Sequence, residues 1–524
     1  MSRGDDGGPG KIRESEMTRW LIRTLVAVTL GMATACASLP EYEPPPPSIA
    51  LEPDPASTIG RLATVFTDSH RPGTSGFAAI DVNGEALRLR LAVIDSAEQS
   101  LDMLYYLWYR DPAGLLMLEH VIEAAERGVR VRLVVDDMLF VKGKKGLANL
   151  DAHPNIELRI FNPWVHKGVG RAFESVGRTT KLNHRMHDKL LIADNRMAII
   201  GGRNIGDHYF GLNHKYNFHD LDVVVLGDAA ASSLEIFDHF WASERVYPAS
   251  AFVDDPSWEA VEAVRKDELA RLRDNEDVAS YPVEHRDWSA ELESLVGRMS
   301  PGTATPEYDR VVADSPQPTS EGSLGLAELV DGARREVLIV NAYIIPGERM
   351  MEILRDAHER GVRVRMLTNS LASNDVPAVT AKYKKHRKPL LEAGVELYEF
   401  RAHPEIQPGI IDTPPVEARF AGLHTKAAVV DREQVYIGSL NLDPRSIRLN
   451  TEMGLIVTSP ELAEEVASIA ERDMSPANSW RVRLDEKGKL VWESDAGIET
   501  RQPAQNAWQR IQAWFFKILP EGQL

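Results

Sequence analysis

The stretch MHDKLLIADNRMAIIGGRN at residues 186–204 returns near the other end of the chain as LHTKAAVVDREQVYIGSLN at 423–441. The first copy carries His187, Lys189, Asp194, Gly201 and Asn204. The second carries His424, Lys426, Asp431, Gly438 and Asn441 at matching intervals. Residues two apart on an extended strand share a face, so each His and its Lys project together. The Asp falls where a hairpin should turn, and a second strand runs to the Gly, with the Asn just beyond it. Each copy therefore presents an imidazole, an ammonium and an amide at one end of a sheet.

The duplication reaches outward from these motifs. ERGVRVRLVVDD at 126–137 matches ERGVRVRMLTNS at 359–370, at nearly the offset that separates the two His residues. A near-constant offset signifies two equivalent domains. Each half runs from an apolar strand (101–109; 337–345) into an amphipathic helix (114–127; 347–360). Gly128 and Gly361 close these helices. Strands follow at VRVRLVV and IELRIF, and at VRVRMLT and VELYEF. This alternation predicts an α/β fold of two similar domains, each a mixed β-sheet flanked by helices, with the active site at their interface. The expected boundaries are 59–250 for the first domain, 251–318 for a helical connection and loop, and 319–524 for the second. DSPQPTSEGS marks the start of the last.

The chain has 524 residues, enough for two cores, and 43% of them are hydrophobic. A formal net charge of -18 argues against a nucleic-acid partner. The single cysteine, Cys36, excludes an intrachain disulfide. It follows MTRWLIRTLVAVTLGMATAC, in which two arginines precede an apolar run shorter than the roughly 20 residues of a spanning helix. Residues 1–35 read as a signal peptide, with Met17 a candidate true start. Ala33-Thr34-Ala35-Cys36 resembles a bacterial lipoprotein box, although Ala33 stands where such boxes usually have Leu. The resemblance implies lipidation of Cys36, a membrane surface as partner, and a bacterial envelope location facing the periplasm, with Ala37 pointing to the outer membrane. The Pro-rich segment within 36–58 is expected to be a semi-rigid linker.

Two His, two Lys and two Asn suit metal-free phosphoryl transfer. One imidazole attacks phosphorus, the other protonates the leaving oxygen, and Lys and Asn surround the charge that develops. Lys is a poor metal ligand, and neither motif carries a Cys or carboxylate cluster. No metal or cofactor is expected.

On these motifs the sequence resembles the phospholipase D superfamily, with the pattern His-x-Lys-x4-Asp-x6-Gly-Ser-x-Asn twice. RMHDKLLIADNRMAIIGGRNIGDHYFG is most similar to the bacterial cardiolipin synthase C-like branch. The resemblance implies that His187, Lys189 and Asn204 act with His424, Lys426 and Asn441. Ser439 fills the serine position of the second copy, whereas the first has Gly202 there. It also implies an acidic residue to orient each His: Glu452 in the second half and Asp220 in the first, with Asp222 the alternative. Asp194 and Asp431 are expected to serve first as turn residues. Related enzymes favour His187 as nucleophile and His424 as acid. The implied reaction transfers a phosphatidyl group from phosphatidylglycerol or phosphatidylethanolamine to a lipid hydroxyl, through a phosphohistidine. The alternatives are a phospholipid-hydrolysing phospholipase D, an envelope nuclease and a catalytically silent lipoprotein scaffold. Two basic stretches, 166–185 and KYKKHRK at 382–388, are candidates for head-group binding. The C-terminal WQRIQAWFFKIL suits either an interfacial membrane helix or a helix docked on the core.

Overall fold

The computed structural model describes residues 50–137, 148–164, 183–253, 255–311 and 318–515. The signal-peptide segment, Cys36, most of the Pro-rich linker and nearly all of the 166–185 basic stretch lie outside them.

The strands in chain order are β1 (Ser75–Ile80), β2 (Ser100–Tyr105), β3 (Arg130–Asp136), β4 (Ile156–Phe161), β5 (Lys189–Ala193), β6 (Met197–Gly201), β7 (Asn217–His219), β8 (Asp222–Leu226), β9 (Val246–Pro248) and β10 (Ser300–Tyr308). The second half adds β11 (Glu336–Asn341), β12 (Arg363–Asn369), β13 (Glu396–Phe400), β14 (Ala421–Leu423), β15 (Lys426–Val430), β16 (Gln434–Gly438), β17 (Met453–Thr458), β18 (Ser479–Leu484), β19 (Leu490–Ser494) and β20 (Gly497–Glu499). In the first half the pairings run β9-β4-β3-β2-β5-β6-β8-β1. In the second, β18-β13-β12-β11-β15-β16-β17-β10 repeats that order. The central three strands of each sheet are parallel and their flanks antiparallel. These are the two mixed sheets the duplicated sequence implies.

The position of β10 corrects the expected boundary. Residues 251–318 are not only helix and loop, because Thr303–Tyr308 pairs with β17 as Gly76–Ile80 pairs with β8. β10 is thus the second domain's counterpart of β1, and that domain begins near Ser300 rather than at 319. Its first residues also pair with β1, Ser75 opposite Gly302 and Phe77 opposite Ser300. One strand therefore joins both halves into a continuous 18-stranded sheet. Pro301, Gly302 and Pro306 concealed it, because such residues read as a loop.

Each sheet has an outer core under its own helices, and between the sheets lies a shared one. Phe77, Leu104, Leu190 and Val223 from the first half meet Leu338, Val340, Leu423 and Leu455 from the second. The halves therefore bury apolar area against each other, at a typical 25 cal/mol per Å², and form a single unit.

The connection between the domains is pinned by a buried ion pair. His120 Nδ1 is 2.7 Å from Asp95 Oδ1, and its Nε2 is 3.0 Å from the Pro282 carbonyl oxygen. Asp95 Oδ2 also accepts from Trp288 Nε1 at 2.6 Å. Asp95, His120 and Glu123 are grouped closely enough to suggest a cation site. Both imidazole nitrogens already face acceptors, however, so the ring must donate from both and is held as an imidazolium. Burial opposes that charge, but Asp95 outweighs it and raises the His120 pKa.

A His with a raised folded pKa stabilises the fold fully below its unfolded value of about 6.5, and loses that contribution as pH climbs through the folded value. The thermal midpoint should therefore fall as pH rises above about 6.5. His120→Ala should flatten that slope and cost about 3 kcal/mol, since the buried Asp95 loses its nearest cation and keeps only Trp288, the Arg286 amide and the more distant His285. Differential scanning calorimetry of both chains across this range checks it, and parallel pH profiles would count against the assignment.

Candidate active site

Both motifs form the predicted hairpins, and the motif Asp is the clamp of each. Asp194 and Asn195 adopt φ of 50° and 52°, and Asp431 and Arg432 both adopt 55°. In this left-handed turn Asp194 Oδ1 accepts from the amides of Gln99 at 2.8 Å and Ser100 at 3.0 Å. Asp431 Oδ1 accepts likewise from Arg335 at 2.7 Å and Glu336 at 3.0 Å. Each carboxylate thus ties its hairpin to the start of the neighbouring antiparallel strand, which is the turn role expected of it.

Lys189 and Lys426 begin β5 and β15, and His187 and His424 sit just before them, so the pairs lie at equivalent strand entrances. Each Lys Nζ donates to the carbonyl of its own His. The entrances then cross between the halves. The His187 amide donates to the Thr451 carbonyl at 3.0 Å, and Thr451 Oγ1 donates to Asp188 at 2.7 Å. On the other side β14 pairs in parallel with β7, and the His424 amide donates to the His219 carbonyl at 2.7 Å. Thr451 precedes Glu452, and His219 precedes Asp220. Each imidazole is thereby set beside the carboxylate of the opposite half: His187 Nδ1 is 2.8 Å from Glu452 Oε2, and His424 Nδ1 is 2.6 Å from Asp220 Oδ2. Nδ1–H donating to a carboxylate leaves Nε2 as the reactive lone pair. Both carboxylates named from the sequence contact an imidazole, but only the folded chain exchanges them between the halves. Asp222 is excluded, because it pairs with Arg90 and Arg203, both at 2.9 Å.

The two pairs differ in detail. Ser439 Oγ donates to Glu452 Oε2 at 2.6 Å. At the equivalent position Gly202 leaves room for Asp220: a Cβ there would lie 2.3 Å from Oδ1 and 2.6 Å from Oδ2. The shorter acid has moved into the space a serine would occupy.

Burial governs the charges. It lowers Lys189 to about 7 and Lys426 to about 8, with Glu452 and Asp220 respectively resisting most strongly. It raises Glu452 to about 7. Burial alone would raise Asp220 too, but His424 and Lys426 hold its carboxyl well below the usual range. Burial, with Lys426 next, lowers His424 to about 3, and burial with Lys189 and Lys426 puts His187 well below its ordinary value. Each lysine acts on both imidazoles, so the four groups lie near one another.

Asn204 Oδ1 accepts from the Leu107 amide at 3.2 Å, while its Nδ2 donates to Tyr209 Oη at 2.9 Å. Asn441 Oδ1 is buried and has no hydrogen-bond partner among the described residues. Tyr209 and Phe218 pack on His424, and Tyr106 packs edge-on against His187. None of these aromatics was predicted; only Tyr209, in the quoted DHYFG, lay close enough in sequence to be noticed. KYKKHRK does not serve as a head-group patch as a unit, since Arg387 is fully buried against Glu399 at 2.5 Å.

With this geometry in view, the model of the family described as "Cardiolipin synthase, PLD-like domain" matches residues 91–241 and 326–474, more than half the chain. The chain belongs to that family. It is 32% identical over 464 residues to cardiolipin synthase C of Escherichia coli, spanning 86% of this chain and 96% of that one. It is 25% identical to cardiolipin synthase B of the same organism, over 70% of this chain and 72% of that one. A solved phosphatidylserine synthase of Haemophilus influenzae superposes with a TM-score of 0.51 at 14% identity, covering 79% of this chain and 91% of that one; it shares the fold. At the level of the family, the protein is a cardiolipin synthase-like phospholipid enzyme of the phospholipase D superfamily.

Asp220→Asn and Gly202→Ala should each reduce turnover, by roughly 10- to 100-fold or more, because both disturb the group that orients His424. Ser439→Ala removes the bond to Glu452 and the one accepted from the Met453 amide but leaves the His187–Glu452 contact in place, and should cost less than either. Steady-state rates of the three variants check the ranking; a fully active Gly202→Ala chain would refute the packing argument.

Proposed function

We propose that the protein transfers the phosphatidyl group of phosphatidylglycerol or phosphatidylethanolamine to a lipid hydroxyl, forming a cardiolipin-type diester. The observation that carries this reading is the exchanged pair of His–carboxylate contacts, which sets two imidazoles and two ammoniums around a space suited to one phosphate. Burial and the two lysines favour the neutral form of both imidazoles. A diester anion entering between them supplies the negative charge that favours an imidazolium. His424 gains it more readily, because its partner Asp220 is held ionised whereas Glu452 is raised to about 7. His424 is accordingly the acid and His187 the nucleophile.

In the first step His187 Nε2 forms a bond to phosphorus as the bond to the head-group oxygen breaks. His424 gives its Nε2 proton to that oxygen, releasing the head-group alcohol. In the second, the now neutral His424 takes the proton of the acceptor hydroxyl. The acceptor oxygen bonds to phosphorus, and His187 leaves unchanged. Lys189 and Lys426 offset the charge that builds on the non-bridging oxygens. Water as acceptor would give phosphatidic acid instead.

Labelled phosphatidylglycerol and phosphatidylethanolamine, incubated separately and together with the purified chain, test the reaction through their resolved products; phosphatidic acid alone would make the protein a hydrolase. His187→Ala and His424→Ala should each lower turnover at least ~100-fold. With a good leaving group, which needs no acid, the His424→Ala chain should still accumulate a covalent phosphatidyl enzyme and the His187→Ala chain should not. Covalent phosphate trapped on residue 424 of the wild type would reverse the roles.

The leader supports a lipid anchor at Cys36 and an envelope location facing the periplasm, on the outer membrane. Cells fed radiolabelled palmitate should label the wild-type protein but not Cys36→Ala, and equal labelling would dismiss the anchor.

A further inference from the structure

A second feature lies beyond the catalytic cleft, at the outer end of the strand pair that carries it. β14 leads into His424 and β7 into Asp220. Just before them, Phe420 stacks on Tyr216 at 5.3 Å, Tyr216 meets Phe218, and Phe218 packs on His424. Beyond Phe420 opens a cavity of 560 Å³ whose lining includes Lys215, Arg401, His403, Arg419 and Arg510, with Glu499 the only acid among its lining residues. A strand advances about 3.3 Å per residue, so Phe420 stands ~13 Å from His424.

The charge of this cavity runs against that of the chain, which is -18 overall. Arg401 is engaged by Asp495. Lys215, Arg419 and Arg510 form no ion pair among the described residues. Seven large hydrophobics are left exposed among the described residues, and three of them belong to the elements lining this cavity: Ile498 at 58% exposure, Trp508 at 64% and Ile511 at 54%. Ile498 lies on β20 beside Glu499. Trp508 and Ile511 lie on the helix Ala507–Phe515 beside Arg510.

That helix is held in a way that keeps its apolar edge outward. Gln509 is buried and its Nε2 donates to the Leu371 carbonyl at 2.6 Å, while Gln505 Nε2 reaches the Ala372 carbonyl at 2.5 Å. A helix that docks through glutamines and leaves Trp and Ile in water has reserved its apolar face for something else. Among the described residues of the C-terminal segment, Gln509 faces the body of the protein while Trp508 and Ile511 face solvent. The anchoring loop is also tied to the catalytic strand, since Asn369, just before it, exchanges two hydrogen bonds with the backbone of Leu423, at 2.6 and 2.9 Å.

We infer that this face docks on an anionic phospholipid bilayer, with Trp508 and Ile511 entering the interface and Lys215, Arg419 and Arg510 taking lipid phosphates beside the cleft. The inference rests on the proposed phospholipid reaction for its choice of surface. Apolar side chains beside basic ones are the composition of an interfacial anchor, in which burial supplies the depth and the cations select anionic lipid. Docked in this way, the molecule keeps the strand entrance of His424 within a lipid's reach of the bilayer.

The test uses the full chain with Cys36→Ser and Ile511→Cys, so that a polarity-sensitive fluorophore sits at position 511 alone; a second chain carries it at position 264. Vesicles of phosphatidylcholine, with or without an equal share of phosphatidylglycerol, contain brominated lipid as a depth quencher. The label at 511 should shift to the blue and be quenched on the anionic vesicles, and the label at 264 should not. Lys215→Gln with Arg419→Gln should weaken the response at 511 on the order of 10-fold. A label at 511 that stays aqueous on vesicles that have bound the protein overturns the inference, as does equal quenching at 264 or an undiminished response in the double variant. Turnover of short-chain phosphatidylglycerol, dissolved as monomers, is measured alongside with the wild-type chain. It requires the catalytic cleft but no surface, so its failure counts against the proposed reaction and not against the docking face.

Discussion

Two imidazoles can share one phosphate only if the halves that carry them face each other, and here the facing is enforced by exchange. Each His takes its carboxylate from the opposite half, through a strand entrance that runs alongside the segment preceding that carboxylate. The Thr451–Asp188 contact, the β7–β14 pair and both Nδ1–carboxylate bonds belong to this one arrangement. Separating the halves would break both His–carboxylate contacts at once. Catalytic geometry and the association of the domains are therefore the same interaction.

The copies have diverged within that frame. On one side a glutamate reaches His187 with a serine on its oxygen; on the other an aspartate has settled against Gly202 and reaches His424. The second acid is the more firmly ionised, because His424 and Lys426 outweigh the effect of its burial. A duplicated site that began with equivalent halves thus acquires a physical basis for giving its imidazoles different tasks.

Polar groups do much of the positioning elsewhere too. Asp222, buried between Arg90 and Arg203, fixes the backbone next to Asp220, and Arg203 also donates to the Asp220 carbonyl at 2.6 Å. Around the connection, Asp95 gathers His120, Trp288 and the Arg286 amide, so the segment leading to β10 is held before it enters the joint sheet. The net negative charge of the chain consequently says little about the cleft or about the basic cavity beside it.

The sequence by itself determined the two-domain α/β architecture, the hairpins with Asp194 and Asp431 at their turns, and the identity of the paired His, Lys and Asn. Each of these is written locally, in residue spacing and strand period. It also pointed to Asp220 and Glu452, whose places relative to the motifs match a known pattern. Only the tertiary structure decided which acid serves which imidazole, because that contact joins residues 265 and 204 positions apart. It likewise decided the role of β10, whose prolines read as loop and whose partners lie in both halves. The packing of Tyr106 and Tyr209 on the imidazoles and the outward edge of the C-terminal helix belong to the same class. A periodic stripe shows that a helix has an apolar side, whereas the neighbours it folds against determine where that side points.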